Sequence, residues 1–104
     1  MRDKRKEIGK RTRQALLESG REMFAKHGYH AASVKLICTH AGANPALILY
    51  HFGSKAALWM EVIASVDGVR DLVDARLVLW ATLDGISFPA KMVKDAAAAI
   101  VRKP

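Results

Sequence analysis

Apolar positions along this chain recur every three to four residues. Leu16, Gly20, Met23 and Phe24 fall on one side of a segment from about Lys10 to His27 that contains no proline, and Gly28 follows as a C-terminal stop. A first helix is predicted there. Ser33 stands before Val34, Ile37, Cys38 and Ala41, a stripe at i, i+3, i+4 and i+7, so a second helix capped by the serine hydroxyl is expected from about Val34 to Ala41. Gly42 suits a tight turn. Asn44 and Pro45 then supply a capping residue and the imino acid favoured at a first helical position, opening a short third helix to about Phe52. At 100° per residue, Ile48 and Phe52 share one side of it, Ala46, Leu47 and Tyr50 the other, and Leu49 and His51 the flanks.

Gly53 and Ser54 break and recap the chain before a fourth helix from Lys55, with Leu58, Val62, Ile63 and Val66 on its buried side. Asp67-Gly68 marks its end or a weak point. Leu72, Val73, Leu77, Trp80 and Leu83 extend a helical pattern to a loop at Asp84 to Phe88, and Pro89 opens a last, alanine-rich helix. No stretch alternates with period two for long enough to read as a strand. The fold class is all-α: a three-helix helix-turn-helix head followed by a short helical C-terminal part.

Charge sharpens this picture. The 104 residues carry 17 Lys+Arg and 10 Asp+Glu, a net charge of +7, and the whole excess lies in residues 1 to 60. Arg2, Lys4, Arg5, Lys6, Lys10, Arg11 and Arg13 crowd the start against Asp3 and Glu7. A frayed terminus that aids solubility and an electrostatic footprint for a polyanion explain such an arm equally well on their own. With 51% hydrophobic residues a single domain can bury a core, whereas the longest apolar run, Ala96 to Val101, falls far short of the ~20 residues needed to span a bilayer. A cytoplasmic protein without membrane contact is expected. The single cysteine, Cys38, suits a reducing compartment.

Two short helices joined by a glycine-containing turn form a helix-turn-helix candidate, whose second helix would enter the major groove while the first braces it. Phe24-Ala25-Lys26-His27-Gly28-Tyr29, Ser33-Val34 with Ile37, Ala41-Gly42, and Tyr50-His51-Phe52-Gly53-Ser54-Lys55 with Leu58 together resemble the N-terminal DNA-binding domain of the TetR/AcrR family of transcriptional regulators, without a gap from about residue 10 to 66. That resemblance implies DNA-binding heads paired as a homodimer by a C-terminal helical domain, which in the family usually binds a small effector. It divides the chain into a basic arm (1–9), the helix-turn-helix domain (10–66) and a short dimerisation or truncated effector region (67–104). The implied function is a sequence-specific regulator, a repressor on a palindromic operator; the rival reading is an interaction module whose helix-turn-helix no longer acts on DNA.

Position by position, Ser33 matches the residue that caps the second helix and reaches a phosphate. Tyr50 and His51 match residues that contact the backbone and adjoining bases, and Lys55 matches the lysine opening the fourth helix. Asn44, Pro45, Ala46, Leu47 and Leu49 fill out the double-stranded DNA interface, with Arg2, Lys4, Arg5, Lys6, Lys10 and Arg11 of the arm. Pro45, Ala46 and Leu47 occupy the sequence-reading positions but lack groups for bidentate base contacts, so readout leans on thymine methyls. Departures from the family pattern are Ala32 for a frequent threonine, Leu36 where an acid often closes a capping box, and Leu49 for a frequent tyrosine or polar residue. Length departs too, leaving the effector open.

Other chemistry finds little support. Cys38 and His40 are two apart, hence on different faces of a helix, and no second pair at metal-binding spacing joins them. Cys38 fits a small core position, and His27 and His30 fit the surface. Trp59 and Trp80 fit a core or subunit interface better than the lining of a ligand cavity. An enzyme would need converging nucleophile, base and orienting group; no glycine-rich phosphate loop, Gly-x-Ser-x-Gly elbow or close acid pair is present, and no cofactor or metal is expected. The apolar residues Leu72, Val73, Leu77, Val78, Leu79 and Trp80 exceed what one helix face would bury on a small head, so the segment from about Asp71 to Val101 is expected to supply a dimer interface.

Overall fold

A computed structural model describes residues 4–102. Six helices form among them: α1 (Lys4–Ala31), α2 (Val34–Ala41), α3 (Ala46–Phe52), α4 (Lys55–Ala64), α5 (Leu72–Leu83) and α6 (Ala90–Val101). The described residues contain no strand, as the periodicity predicts. None of these helices is long and apolar enough to cross a membrane.

The first helix begins earlier than its apolar pattern predicts, and its spiral breaks at the expected glycine. It starts at Lys4, so the backbone of residues 4–9 is already helical. Lysine, arginine and glutamate are good helix formers, and only Gly9 weakens that stretch. At the other end the regular spiral stops at Gly28, as its sequence predicts: its φ of 82° and ψ of 170° lie in a region essentially reserved for glycine, and a separate turn follows to Ala31. That break turns Tyr29 toward the core, where its ring centroid lies 5.9 Å from Phe24 and 5.7 Å from Trp59.

One face of α1 carries the head. Leu16 and Phe24 are fully buried, together with Ile37 and Cys38 of α2, Ile48 of α3 and Leu58 of α4, while Trp59 and Val62 complete the same cluster. Phe24 and Trp59 meet edge to face, with ring centroids 5.0 Å apart. Burial holds the Cys38 thiol above its ordinary range, so it behaves as a small core residue.

α5 lies along α1, and α6 packs on α5. Two polar attachments fix this second part to the first. Arg21 of α1 reaches Asp74 at 2.9 Å and Asp71 at 3.1 Å, while Asp71 caps α5 by accepting from the Asp74 N–H. At the far end of α5, the Trp80 indole donates to the Ala25 carbonyl at 2.9 Å. Leu77 is buried against the head, and Val78 is buried in a small cluster with Ala75 and Ala96. The apolar surplus expected of this segment is thus largely consumed within the chain. Leu83 and Val101 remain exposed, and Trp80 partly so.

Candidate nucleic-acid interface

The candidate interface begins with how α2 and α3 are joined. Ser33 has extended backbone and its hydroxyl accepts from the Leu36 N–H at 3.0 Å, so the second helix is capped as its sequence predicts. Leu36, in place of an acid, packs partly against the core. At the other end Gly42 adopts φ 68°, and the following Ala43 N–H returns to the Cys38 carbonyl at 2.9 Å. This left-handed residue turns the chain sharply enough for α3 to start four residues later. Pro45 is already helical, and the Asn44 side-chain oxygen accepts from the Ala46 N–H at 2.9 Å.

On α3, Ile48 points into the core and Leu47 is half-buried against it. Leu49 is 66% exposed and Tyr50 79%. The outward stripe is therefore Ala46, Leu49, Tyr50 and Gly53, at i, i+3, i+4 and i+7. This corrects the predicted faces: Leu49 takes the outward place given to Leu47, because Leu47 fills the gap beside Ile48. His51 is half-exposed, its ring 4.8 Å from that of Tyr50. A methyl group added at Gly9 would sit 4.0 Å from His51 Cε1, so the first turns of α1 run beside α3.

Exposed cations occur on α1 and α2. Lys10 and Arg11 of α1 and Lys35 of α2 are exposed. Arg2 lies outside the described residues, as do the side chains of Lys4, Arg5 and Lys6. Lys55 is more constrained than its sequence position suggests. Its ammonium lies 4.4 Å from the centre of the Tyr29 ring and makes a long, 3.5 Å contact with the His30 carbonyl; the partial burial pulls its pKa below the ordinary lysine range. Ser54 caps α4 by accepting from the Ala57 N–H at 3.0 Å.

Further supporting contacts lie between residues too distant in sequence to be paired beforehand. Arg13 donates to Glu61 at 2.7 Å, and its guanidinium carbon sits 4.5 Å from the centre of the Phe52 ring, joining α1, α3 and α4. The hydrogen bond to Glu61 raises the Arg13 pKa further, leaving a permanent charge beneath the end of α3. Ser19 donates to the Ile37 carbonyl at 2.7 Å and lies 2.9 Å from His40 Nδ1, whose Nε2 is 3.2 Å from Glu22. These contacts anchor α2 to α1. No group of three or more potential metal ligands occurs among the described residues.

Comparison with known proteins places this geometry. Residues 16–62 match the model of the bacterial regulatory proteins of the tetR family, the stretch that builds α2, α3 and their supports. UidR, an HTH-type transcriptional regulator of Escherichia coli, is 36% identical over 84 residues, covering 81% of this chain and 40% of that protein. The HTH-type transcriptional repressor AcnR of Corynebacterium efficiens is 37% identical over 59 residues, 57% of this chain and 31% of its own length. NicS of Pseudomonas putida, another HTH-type transcriptional repressor, is 32% identical over 69 residues, 66% of this chain and 32% of its own. The chain spans about two fifths of the length of UidR. No solved structure gives a significant match. Residues 16–62 therefore carry the regulatory-protein domain of the bacterial tetR family.

Proposed function

We propose that this chain is a sequence-specific DNA-binding regulator, acting as a repressor, with α3 in the major groove and α2 bracing it across the backbone. The observation that carries this reading is the outward stripe of α3, held from beneath by Arg13, Ile48 and Phe52, together with the exposed Lys10 and Arg11 of α1 and Lys35 of α2. Exposed cations supply the sequence-independent attraction to phosphates. The capped N-termini of α2 and α4, at Ser33 and at Ser54 with Lys55, offer N–H groups and hydroxyls to phosphate oxygens.

Two such heads about a two-fold axis would favour a palindromic site with half-sites about one helical turn apart or somewhat more. The C-terminal part offers a surface for pairing in a shallow groove of ≈ 290 Å³ lined by Lys26, Arg76, Leu79, Trp80, Leu83 and Ile100, beside exposed Val101. Selection from random duplexes tests the reading directly. Recovery of inverted repeats is expected, and recovery of unrelated sequences with no preference would overturn it. Sedimentation at tens of micromolar tests pairing: a dimer is expected, and a monomer would refute that part.

A further inference from the structure

We propose that α3 reads its half-site through the C5-methyl groups of thymines, by apolar contact and not by hydrogen bonds to base edges. This rests on the DNA-binding reading above and specifies the kind of sequence that reading would select. Each base pair presents a distinct pattern in the major groove. Guanine and adenine are read by bidentate donors and acceptors such as arginine or asparagine, and thymine by contact with its methyl group.

The outward stripe of α3 carries no side chain of the first kind. Ala46 and Leu49 end in methyl groups, and Pro45 before them has no N–H. Tyr50 has a single hydroxyl, at the C-terminal end of the stripe, whereas base contacts come from the N-terminal residues of a recognition helix. Asn44 carries the one amide in this region. A bidentate adenine contact needs both its oxygen and its nitrogen, but the oxygen is held by the Ala46 N–H at 2.9 Å. An adenine contact through Asn44 would have to use the second lone pair of an oxygen already engaged.

Charge and apolar surface are also segregated. The stripe itself carries no cation, and the exposed Lys10, Arg11 and Lys35 lie on α1 and α2, so phosphate attraction and sequence discrimination fall to different residues. A lone exposed leucine is ordinary on a protein surface. Leu49 differs in lying one turn from Ala46 on the face directed at DNA, about 4.5 Å farther along the axis. That spacing is near the ~3.4 Å rise of a base step, so the two residues address neighbouring A·T pairs.

The experiment uses the full chain and the duplex recovered by selection. Each thymine is replaced singly by deoxyuridine, which removes one methyl group and keeps every hydrogen-bonding atom, and Kd is measured by fluorescence anisotropy at fixed salt. At one or two positions per half-site the replacement is expected to weaken binding about fourfold, the worth of one buried methyl group. Leu49→Ala should bind the thymine and uracil duplexes equally at one of those positions, with an unchanged melting temperature. If every uracil duplex binds as well as its parent while the parent is still preferred over random DNA, methyl reading is wrong and the DNA-binding reading stands. If no duplex is preferred over any other, both fall.

Discussion

The Trp80 ring lies against Gly28, closing the far end of α5 onto the break in α1. A Cβ added at Gly28 would sit 3.0 Å from Cε3 and Cζ3 and 3.2 Å from Cδ2 of that ring, while the indole N–H is bound to the Ala25 carbonyl. Both the positive φ and the missing side chain are thus needed at one position. Gly28→Ala should destabilise the chain by about 2 to 4 kcal/mol, combining the cost of a glycine-only conformation with the displaced ring. Trp80→Phe keeps a ring but loses the donor, and should cost about 1 kcal/mol. Thermal unfolding of both checks the order, which would be reversed if the hydrogen bond mattered more than the packing.

Leu47 and Leu49 provide the second comparison, since they are two residues apart on one short helix and differ in surroundings. Leu47→Ala should lower stability by about 1 to 2 kcal/mol, less than for a fully buried leucine, because the side chain is only partly covered. Leu49→Ala should change stability by less than about 0.5 kcal/mol. Urea unfolding distinguishes them, and equal losses would refute the assigned faces.

Most of the helix boundaries were legible because local chemistry sets them. Ser33 before a helical stripe, Asn44-Pro45, Ser54-Lys55 and Pro89 each mark a start by means that act within a few residues. The faces of α3 were less legible, since a run of Ala-Leu-Ile-Leu-Tyr contains too little polar contrast to phase a seven-residue helix. Arg13 with Phe52 and Glu61, and Arg21 with Asp71 and Asp74, were not legible at all. Their partners lie 48 residues away for Glu61 and 50 and 53 for the two aspartates, so the pairs exist only once α4 and α5 have packed on α1. Gly28 read locally as a helix stop, although what uses its conformation is a tryptophan 52 positions later in the chain.

Asp71 gives the fold an acid-sensitive attachment. Its carboxylate accepts from the Asp74 N–H, which lowers its pKa below the ordinary 3.8; partial burial opposes this, and Arg21 lowers it further. A carboxyl with a depressed folded-state pKa stabilises the fold above its unfolded value, and that contribution is lost as pH falls through the folded value. The melting temperature should therefore be level near neutrality and drop below about pH 4. Asp71→Asn retains a capping oxygen but removes the charge, so it should flatten part of that acid limb and cost less than about 1 kcal/mol at pH 7, as the pair is well exposed. Asp71→Ala also loses the cap and should cost about 1 kcal/mol more. An acid limb identical in the parent and Asp71→Asn would exclude this carboxylate as its source.

Lys55 is the test of how charge is divided over the interface. Its ammonium sits at the start of α4, near the capped helix end, but its lower side is covered by the Tyr29 ring. If the exposed side meets a phosphate, Lys55→Gln should weaken binding to every duplex by a similar factor and reduce the slope of log K against log salt by about one. Lys55→Arg should keep the slope, because a guanidinium holds the same charge and also stacks on aromatic rings. The tyrosine contact predicts a separate effect without DNA: Lys55→Gln should lower stability by about 0.5 to 1 kcal/mol. The two measurements separate the roles. A stability loss with an unchanged salt slope would make Lys55 a packing residue that only holds α4 against Tyr29, whereas a changed sequence preference would place its ammonium at a base edge and contradict the phosphate assignment.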